Sequence, residues 1–295
     1  MTILVTGATG NVGRNVVDLL VQAGTDVRAT SRNPESLDLP AEVDVRRADL
    51  TDPKTFEQAL QGVDKVFLYT QPSAIDGIMA AAKSAGVKHV VLLSSLAVAG
   101  RDADHWIARW HLAAEESIER SGLSWTFVRP GLFAANSLQW AQSIKAGAPV
   151  RLHYAHSYVS AIHERDIAEV STCALLQDGH SGAKYHITGG DSITQGEQVA
   201  LIGKAIGRDL AFDDITGDDV RVELRQRFKP RLQELIQSGV IEPTAAPEII
   251  ETRIRYYVEA LEGPVEIDGT VEKVLGKPAR TFAEWAVDHK ADFTN

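Results

Sequence analysis

Thr6-Gly7-Ala8-Thr9-Gly10-Asn11-Val12-Gly13 follows a short apolar run, Ile3–Val5, and opens a segment in which Val12, Val16, Leu19, Leu20 and Ala23 recur at helical spacing. That spacing lays one apolar stripe along a helix that faces a sheet. A chain passing from strand to helix over so few residues turns sharply, and the backbone amides at the new helix start point outward at an anion. Glycine at positions 7, 10 and 13 lets the backbone approach a diphosphate, and Gly13 allows helix and strand to pack closely. A glycine triplet alone also serves ordinary turns; the strand before it and the helix after it make this one a dinucleotide loop. Gly7, Thr9, Gly10, Asn11, Val12 and Gly13 are therefore expected to hold the cofactor.

Outward from the loop, short apolar runs alternate with longer stretches of helical period, the pattern of strand-helix-strand units around a parallel sheet. Strands are expected at Ile3–Val5, Asp26–Thr30, Val43–Ala48, Lys65–Tyr69, His89–Ser94 and Trp125–Arg129, six in all, with Gly24, Gly62, Gly86 and Gly122 ending the helices between them. The fold class read from this is α/β, a Rossmann-type doubly wound parallel sheet. After Pro130 the rhythm changes, and a smaller, mostly helical lobe is expected. The division is 1–150 for the NAD(P)-binding domain and 151–295 for the substrate lobe, with some chain returning to the sheet. In the later part, Ile162–Leu176 reads as loop and helix, with Asp166 as its cap, and Lys184–Thr188 reads as a strand. A helix over Thr194–Ile206 ends at Gly207, and Thr281–His289 forms a last amphipathic helix.

Composition narrows the function. The chain has 295 residues, 44% hydrophobic and 24% charged, and a net charge of -10, so no basic surface is available for a nucleic-acid backbone. One cysteine, Cys173, allows neither an internal disulfide nor a thiolate metal centre, and fits the reducing cytoplasm. No signal peptide and no membrane span are expected. The partner is a small molecule, and a homo-oligomer is compatible with the sequence.

Cofactor choice is read at the end of the second strand, where NAD enzymes carry an acid and NADP enzymes positive charge. Thr30, Ser31 and Arg32 stand there, without a carboxylate, and the guanidinium of Arg32 suits a 2′-phosphate. NADP(H) is favoured over NAD(H); the alternative is that Arg32 only borders a surface loop. By position, Asp49 and Leu50 contact the adenine, and Tyr69, Thr70 and Gln71 line the cofactor cleft.

TGATGNVG at 6–13, SRNP at 31–34, ADLTDP at 48–53, GVDKVFL at 62–68, AGVKHVVLLSS at 85–95 and SGLSWTFVRPG at 121–131 together resemble the NmrA-like atypical short-chain dehydrogenase/reductases. IHERDIA at 162–168, KYHITGG at 184–190 and GKPARTFAEWA at 276–286 are similar to the same family's substrate lobe. The resemblance implies a Rossmann domain that binds NADP(H), in a family of working reductases and nucleotide-sensing regulators.

Most short-chain reductases pair a tyrosine with a lysine four residues on, so that an activated phenol protonates the new alkoxide. None of the 6 tyrosines here has that lysine, and by alignment of the motifs the two positions fall on Ile107 and His111. Ser95 matches the serine that orients a carbonyl in those relatives. The pattern of His111, Glu115 and Asn136 resembles the NADPH-dependent quinone oxidoreductases of the family, which implies a histidine and an asparagine near nicotinamide and acceptor. His111, Ser95 and Asn136 are thus the catalytic candidates, and Phe133 joins Asn136 as substrate contact. A histidine titrating near neutrality would give the reduced oxygen a proton or hydrogen bond. The alternative is a surface His111 paired with Glu115 one helical turn on.

The expected activity is direct hydride transfer from NADPH to a quinone-like or conjugated carbonyl acceptor, with no metal and no flavin. The rival is a non-catalytic NADP(H) sensor acting through a protein partner. His153 and His156 read as pocket lining rather than half a metal site, Arg221, Arg225, Arg227, Lys229 and Arg231 as a solvated helix face, and Tyr256-Tyr257 as part of a small core.

Overall fold

The computed structural model describes residues 1–100, 106–237 and 246–295, which form two compact units, neither continuous in sequence. The first comprises Met1–Gly131, Glu164–Ile187 and Gly269–Pro278; the second comprises Leu132–His163, Thr188–Asp268 and Ala279–Asn295.

In chain order the first unit begins with β1 (Thr2–Val5), α1 (Asn11–Gln22), β2 (Asp26–Ser31), β3 (Asp44–Arg47), α2 (Phe56–Ala59) and β4 (Lys65–Tyr69). It continues with α3 (Pro72–Ser84), β5 (His89–Leu93), α4 (Trp106–Ser121) and β6 (Ser124–Pro130). The second unit then supplies α5 (Ala141–Lys145), β7 (Val150–His153) and β8 (Tyr158–Val159) before the chain returns to the first as α6 (Glu164–Leu176) and β9 (Ala183–Ile187). The remaining elements are β10 (Ile193–Thr194), α7 (Gln195–Ile206), β11 (Phe212–Ile215), α8 (Gly217–Gln237), α9 (Ala246–Glu259), α10 (Thr270–Leu275) and α11 (Phe282–Asp288).

The sheet of the first unit is parallel throughout, in the order β3-β2-β1-β4-β5-β6-β9. All of β5 and residues Ile3, Leu4 and Val5 of β1 are buried, as expected of strands covered on both faces. The helix stripe read from the sequence is realised in α1, which buries Val12, Gly13, Val16, Val17 and Leu20. Phe56, Leu60, Ile75, Ile78, Met79, Leu92 and Phe127 form one apolar cluster of this unit. Gly24, Gly62, Gly86 and Gly122 all have positive φ, so each provides the left-handed turn that ends a helix. The sequence reading of six strands is corrected to seven: β9, parallel to β6, closes the edge. Asp166 is also corrected, being the third residue of α6 and fully buried rather than its cap.

Because the chain runs from β1 outward through β2 to β3 and then crosses back to β4 on the other side of β1, the strand order reverses between β1 and β4. Open α/β sheets bind ligands at such a switch point.

The second unit pairs β8 with β10 antiparallel and β7 with β11 parallel. Its apolar cluster is built from Ile144, Leu152, Val199, Ile202, Phe282, Trp285 and Phe293. Reciprocal capping boxes, Thr194 with Glu197 and Thr281 with Glu284, start α7 and α11. Helices α8 and α9 meet through Val220, Leu224, Ile250 and Ile254. Among the described residues no helix is long and apolar enough to cross a membrane.

Candidate active site

At the carboxyl end of β1, Gly7 adopts φ +63, which lets the chain reverse, and the Gly10 amide donates to the Gly7 carbonyl at 3.0 Å. A Cβ at Gly13 would lie 2.1 Å from the Gly7 oxygen and 2.7 Å from its carbonyl carbon, so only hydrogen fits between loop and helix. Gly10 is the N-cap of α1; no side chain caps that end and no acidic residue occupies the first turn. The amides there lie open to a ligand's negative charge. Gly7, Thr9, Gly10 and Asn11 are exposed, whereas Val12 and Gly13 are buried beneath them. This cradle fits a diphosphate.

Thr6, which the sequence reading passed over, ties the switch point together: its hydroxyl donates to the Phe67 carbonyl at 3.3 Å and accepts from the Tyr69 amide at 2.7 Å. The bond sets Tyr69, 53% exposed, beside Gly7, where a glycine Cβ would lie 3.5 Å from the Tyr69 Cβ. Thr70 is buried and donates to the Leu93 carbonyl, joining the ends of β4 and β5. Gln71 is half-buried at the start of α3.

Arg32 follows β2, exposed and without an ion pair among the described residues. The Asp49 carboxylate accepts from the Thr51 amide at 2.9 Å and hydroxyl at 2.8 Å. Those bonds, and then the Arg32 charge, hold its pKa below the ordinary carboxylate value. Leu50 is half-buried against the apolar cluster. Arg32 thus stands exposed at the end of β2, with the Asp49 carboxylate in its field.

Ser95 begins a short turn of 3-10 helix after β5; its hydroxyl oxygen accepts from the Ala97 amide at 3.2 Å, leaving its proton to donate elsewhere. His111 lies half-buried on α4, its Nδ1 sealed from solvent with no hydrogen-bond partner among the described residues. Desolvation pulls its pKa down to about 4. Both sequence expectations for this side chain are corrected: the imidazole does not titrate near neutrality, and it does not pair with Glu115. Glu115, 1% exposed, instead accepts from Arg129 Nε at 2.9 Å, from Arg129 Nη2 and from the Ser94 hydroxyl. That buried pair fastens α4 to β5 and β6 one turn beyond His111.

Phe133 and Asn136 belong to the second unit. Phe133 is half-buried at a bridge to Ile162, and Asn136 is exposed on the 3-10 helix Ala134–Trp140. The same unit contains a cavity walled in part by Gln139, Trp140, His153 and Arg227. His153 Nε2 lies 3.1 Å from Glu223 and His156 Nε2 3.9 Å from Asp214. Arg227 came from the run read as a solvated face; the side chain of Arg231 in that run lies outside the described residues.

A family model described as NAD(P)H-binding matches residues 7–178. The chain is 37% identical, over 99% of both sequences, to the (4-alkanoyl-5-oxo-2,5-dihydrofuran-3-yl)methyl phosphate reductase of Streptomyces griseus. It is 35% identical, again over 99% of both, to the NAD(P)H azoreductase of Xenophilus azovorans. Among solved structures, the NADPH-dependent quinone oxidoreductase of Escherichia coli in complex with NADPH superposes with a TM-score of 0.74 at 23% identity. That match covers 98% of this chain and 99% of the other and shows the fold.

Proposed function

The chain belongs to the NAD(P)H-binding family and is an NAD(P)H-dependent oxidoreductase of the NmrA-like kind, and on that premise we propose that it uses NADPH to reduce quinone-like or conjugated carbonyl acceptors. The observation that carries this reading is a half-buried His111 imidazole, its Nδ1 without a hydrogen-bond partner among the described residues, where short-chain reductases place lysine, with Ile107 at the tyrosine position.

When bound, NADPH supplies hydride from its reduced nicotinamide. The amides at the start of α1 bind the diphosphate, and Arg32 takes the 2′-phosphate through a charge-assisted fork. Ser95 donates its hydroxyl proton as a hydrogen bond to the acceptor oxygen, and Asn136 orients the acceptor through its amide. Desolvation favours the neutral form of His111, so in this reading the side chain gives the acceptor a hydrogen bond and not a proton. A reduction without a strong acid at the site needs an acceptor that delocalises its own new charge. Quinones and enones do so; isolated ketones do not.

The relatives support this class. The dihydrofuran named in the Streptomyces enzyme carries two carbonyls conjugated with its ring double bond, and an azo group is another electron-poor π system. The test is a panel of quinones, enones and unconjugated ketones offered with NADPH and followed by loss of its absorbance. Turnover is expected with the first two classes alone. Comparable turnover of an unconjugated ketone, or none of any quinone or enone, overturns the proposal.

A further inference from the structure

The cavity of the second unit, about 680 Å³, carries an electrostatic imbalance that the residues assigned above do not use. It adjoins Asn136. On the 3-10 helix Ala134–Trp140, side chains three apart eclipse, so Gln139, part of the cavity wall, shares the face of Asn136. Both are exposed, while Ala134, Ser137 and Trp140, the complementary set at the same spacing, are buried.

The one carboxylate in the wall, Glu223, is already shared by two groups: it pairs with Arg151 through a short contact and lies 3.1 Å from His153 Nε2. Arg151 has a second carboxylate, Asp213, at 3.8 Å. Arg227 stands one helical turn beyond Glu223 on α8, on the same face, and has no carboxylate partner among the described residues. Behind the wall residue Tyr257, Arg253 adds a second cation, its Nε donating to the Tyr257 hydroxyl at 3.0 Å and its guanidinium 5.1 Å from the ring centroid. Exposed as the Arg227 side chain is overall, desolvation and the Arg253 charge both push its pKa down. Trp140 and Tyr257 offer the apolar surface.

We propose that this cavity is an anion-recognising subsite for the acceptor, in which Arg227 takes a carboxylate, sulfonate or phosphate borne by a flat conjugated acceptor. Arg253 strengthens the field there. The assignment rests on the reduction of conjugated acceptors argued above, and its test separates the two.

Naphthoquinone and its sulfonate are compared as acceptors at saturating NADPH in the wild type, Arg227→Gln, Arg227→Lys and Lys229→Gln, the last removing one exposed charge from the same helix. In Arg227→Gln the kcat/KM ratio of sulfonate to parent quinone is expected to fall at least about tenfold, through KM, as a charge-assisted contact is lost. Arg227→Lys restores part of the ratio, because ammonium lacks the planar fork, and Lys229→Gln keeps the wild-type ratio. An unchanged ratio in Arg227→Gln, or an equal fall in Lys229→Gln, overturns the subsite. Calorimetric titration with naphthalene sulfonate, which accepts no hydride, decides the cavity without turnover: binding that weakens about tenfold in Arg227→Gln supports it, and binding indifferent to that change refutes it. Failure to reduce either quinone, with that binding intact, sinks the reductase proposal alone.

Discussion

Acidification from pH 7 to pH 5 is expected to perturb the first unit at two histidines, His111 and His89. Desolvation lowers the pKa values of His111 and His89 from 6.5 to about 4, with Lys65 and His180 adding repulsion at His89. His89 is 8% exposed, its ring nitrogens 2.7 Å from the Ser124 hydroxyl and 3.1 Å from that of Thr126. For a lowered histidine pKa the unfolded chain binds the proton first, so stability is full above 6.5 and is lost as pH falls toward 4. Over this interval the loss is roughly 2 kcal/mol for each ring, about 4 kcal/mol together, a large share of the 5–15 kcal/mol typical of domains. His153 and His180, also lowered, act in the same sense, and the raised Asp191 opposes them. Lowered carboxylates such as Asp44 and Asp49 titrate below this interval and leave the slope to the histidines. Urea unfolding followed by circular dichroism at pH 7, 6 and 5 measures it. His111→Gln should lose about 2 kcal/mol less than the wild type between pH 7 and 5. The same loss in that variant would refute a ring held neutral by burial, and with it the argument for acceptors that carry their own charge.

Two further outcomes follow from the nucleotide cradle. Gly13→Ala forces a methyl group within 2.1 Å of the Gly7 oxygen, so the loop must move. A stability loss of roughly 1–3 kcal/mol with abolished NADPH binding is expected by thermal melting and calorimetry, and retained affinity would show a loop that yields. Arg32→Ala should weaken NADPH about tenfold or more and NADH less than twofold, and equal losses for the two would remove the 2′-phosphate from Arg32.

Much of the first unit was legible because β1, β4 and β5 are largely apolar runs and the helices between the strands end at glycines. The Gly13 contact was legible too, since only a residue without Cβ serves a loop that tight. The seventh strand is legible as a strand at Lys184–Thr188, but its place beside β6 was harder to see, because β6 lies far back in the chain and no local period announces the pairing. The state of His111 depends on which neighbours seal Nδ1, and Glu115 looked like its partner only until Arg129 arrived from another strand. Arg227 was hidden among four similar residues. What distinguishes it is its place in the cavity wall beside Glu223, a carboxylate that Arg151 already takes from another element, a matter of long-range arrangement that spacing along the chain does not record.

The interleaving of the two units has a consequence for biosynthesis. As the chain leaves the ribosome, the nascent sheet lacks its edge strand until Ile187 has emerged, and α10, which packs on α6 and β9, arrives only with Leu275. A fragment stopped at residue 150 would expose the flank of β6 as an unpaired edge, inviting aggregation. The protein therefore matures late, and splitting its gene between the two halves should yield insoluble products.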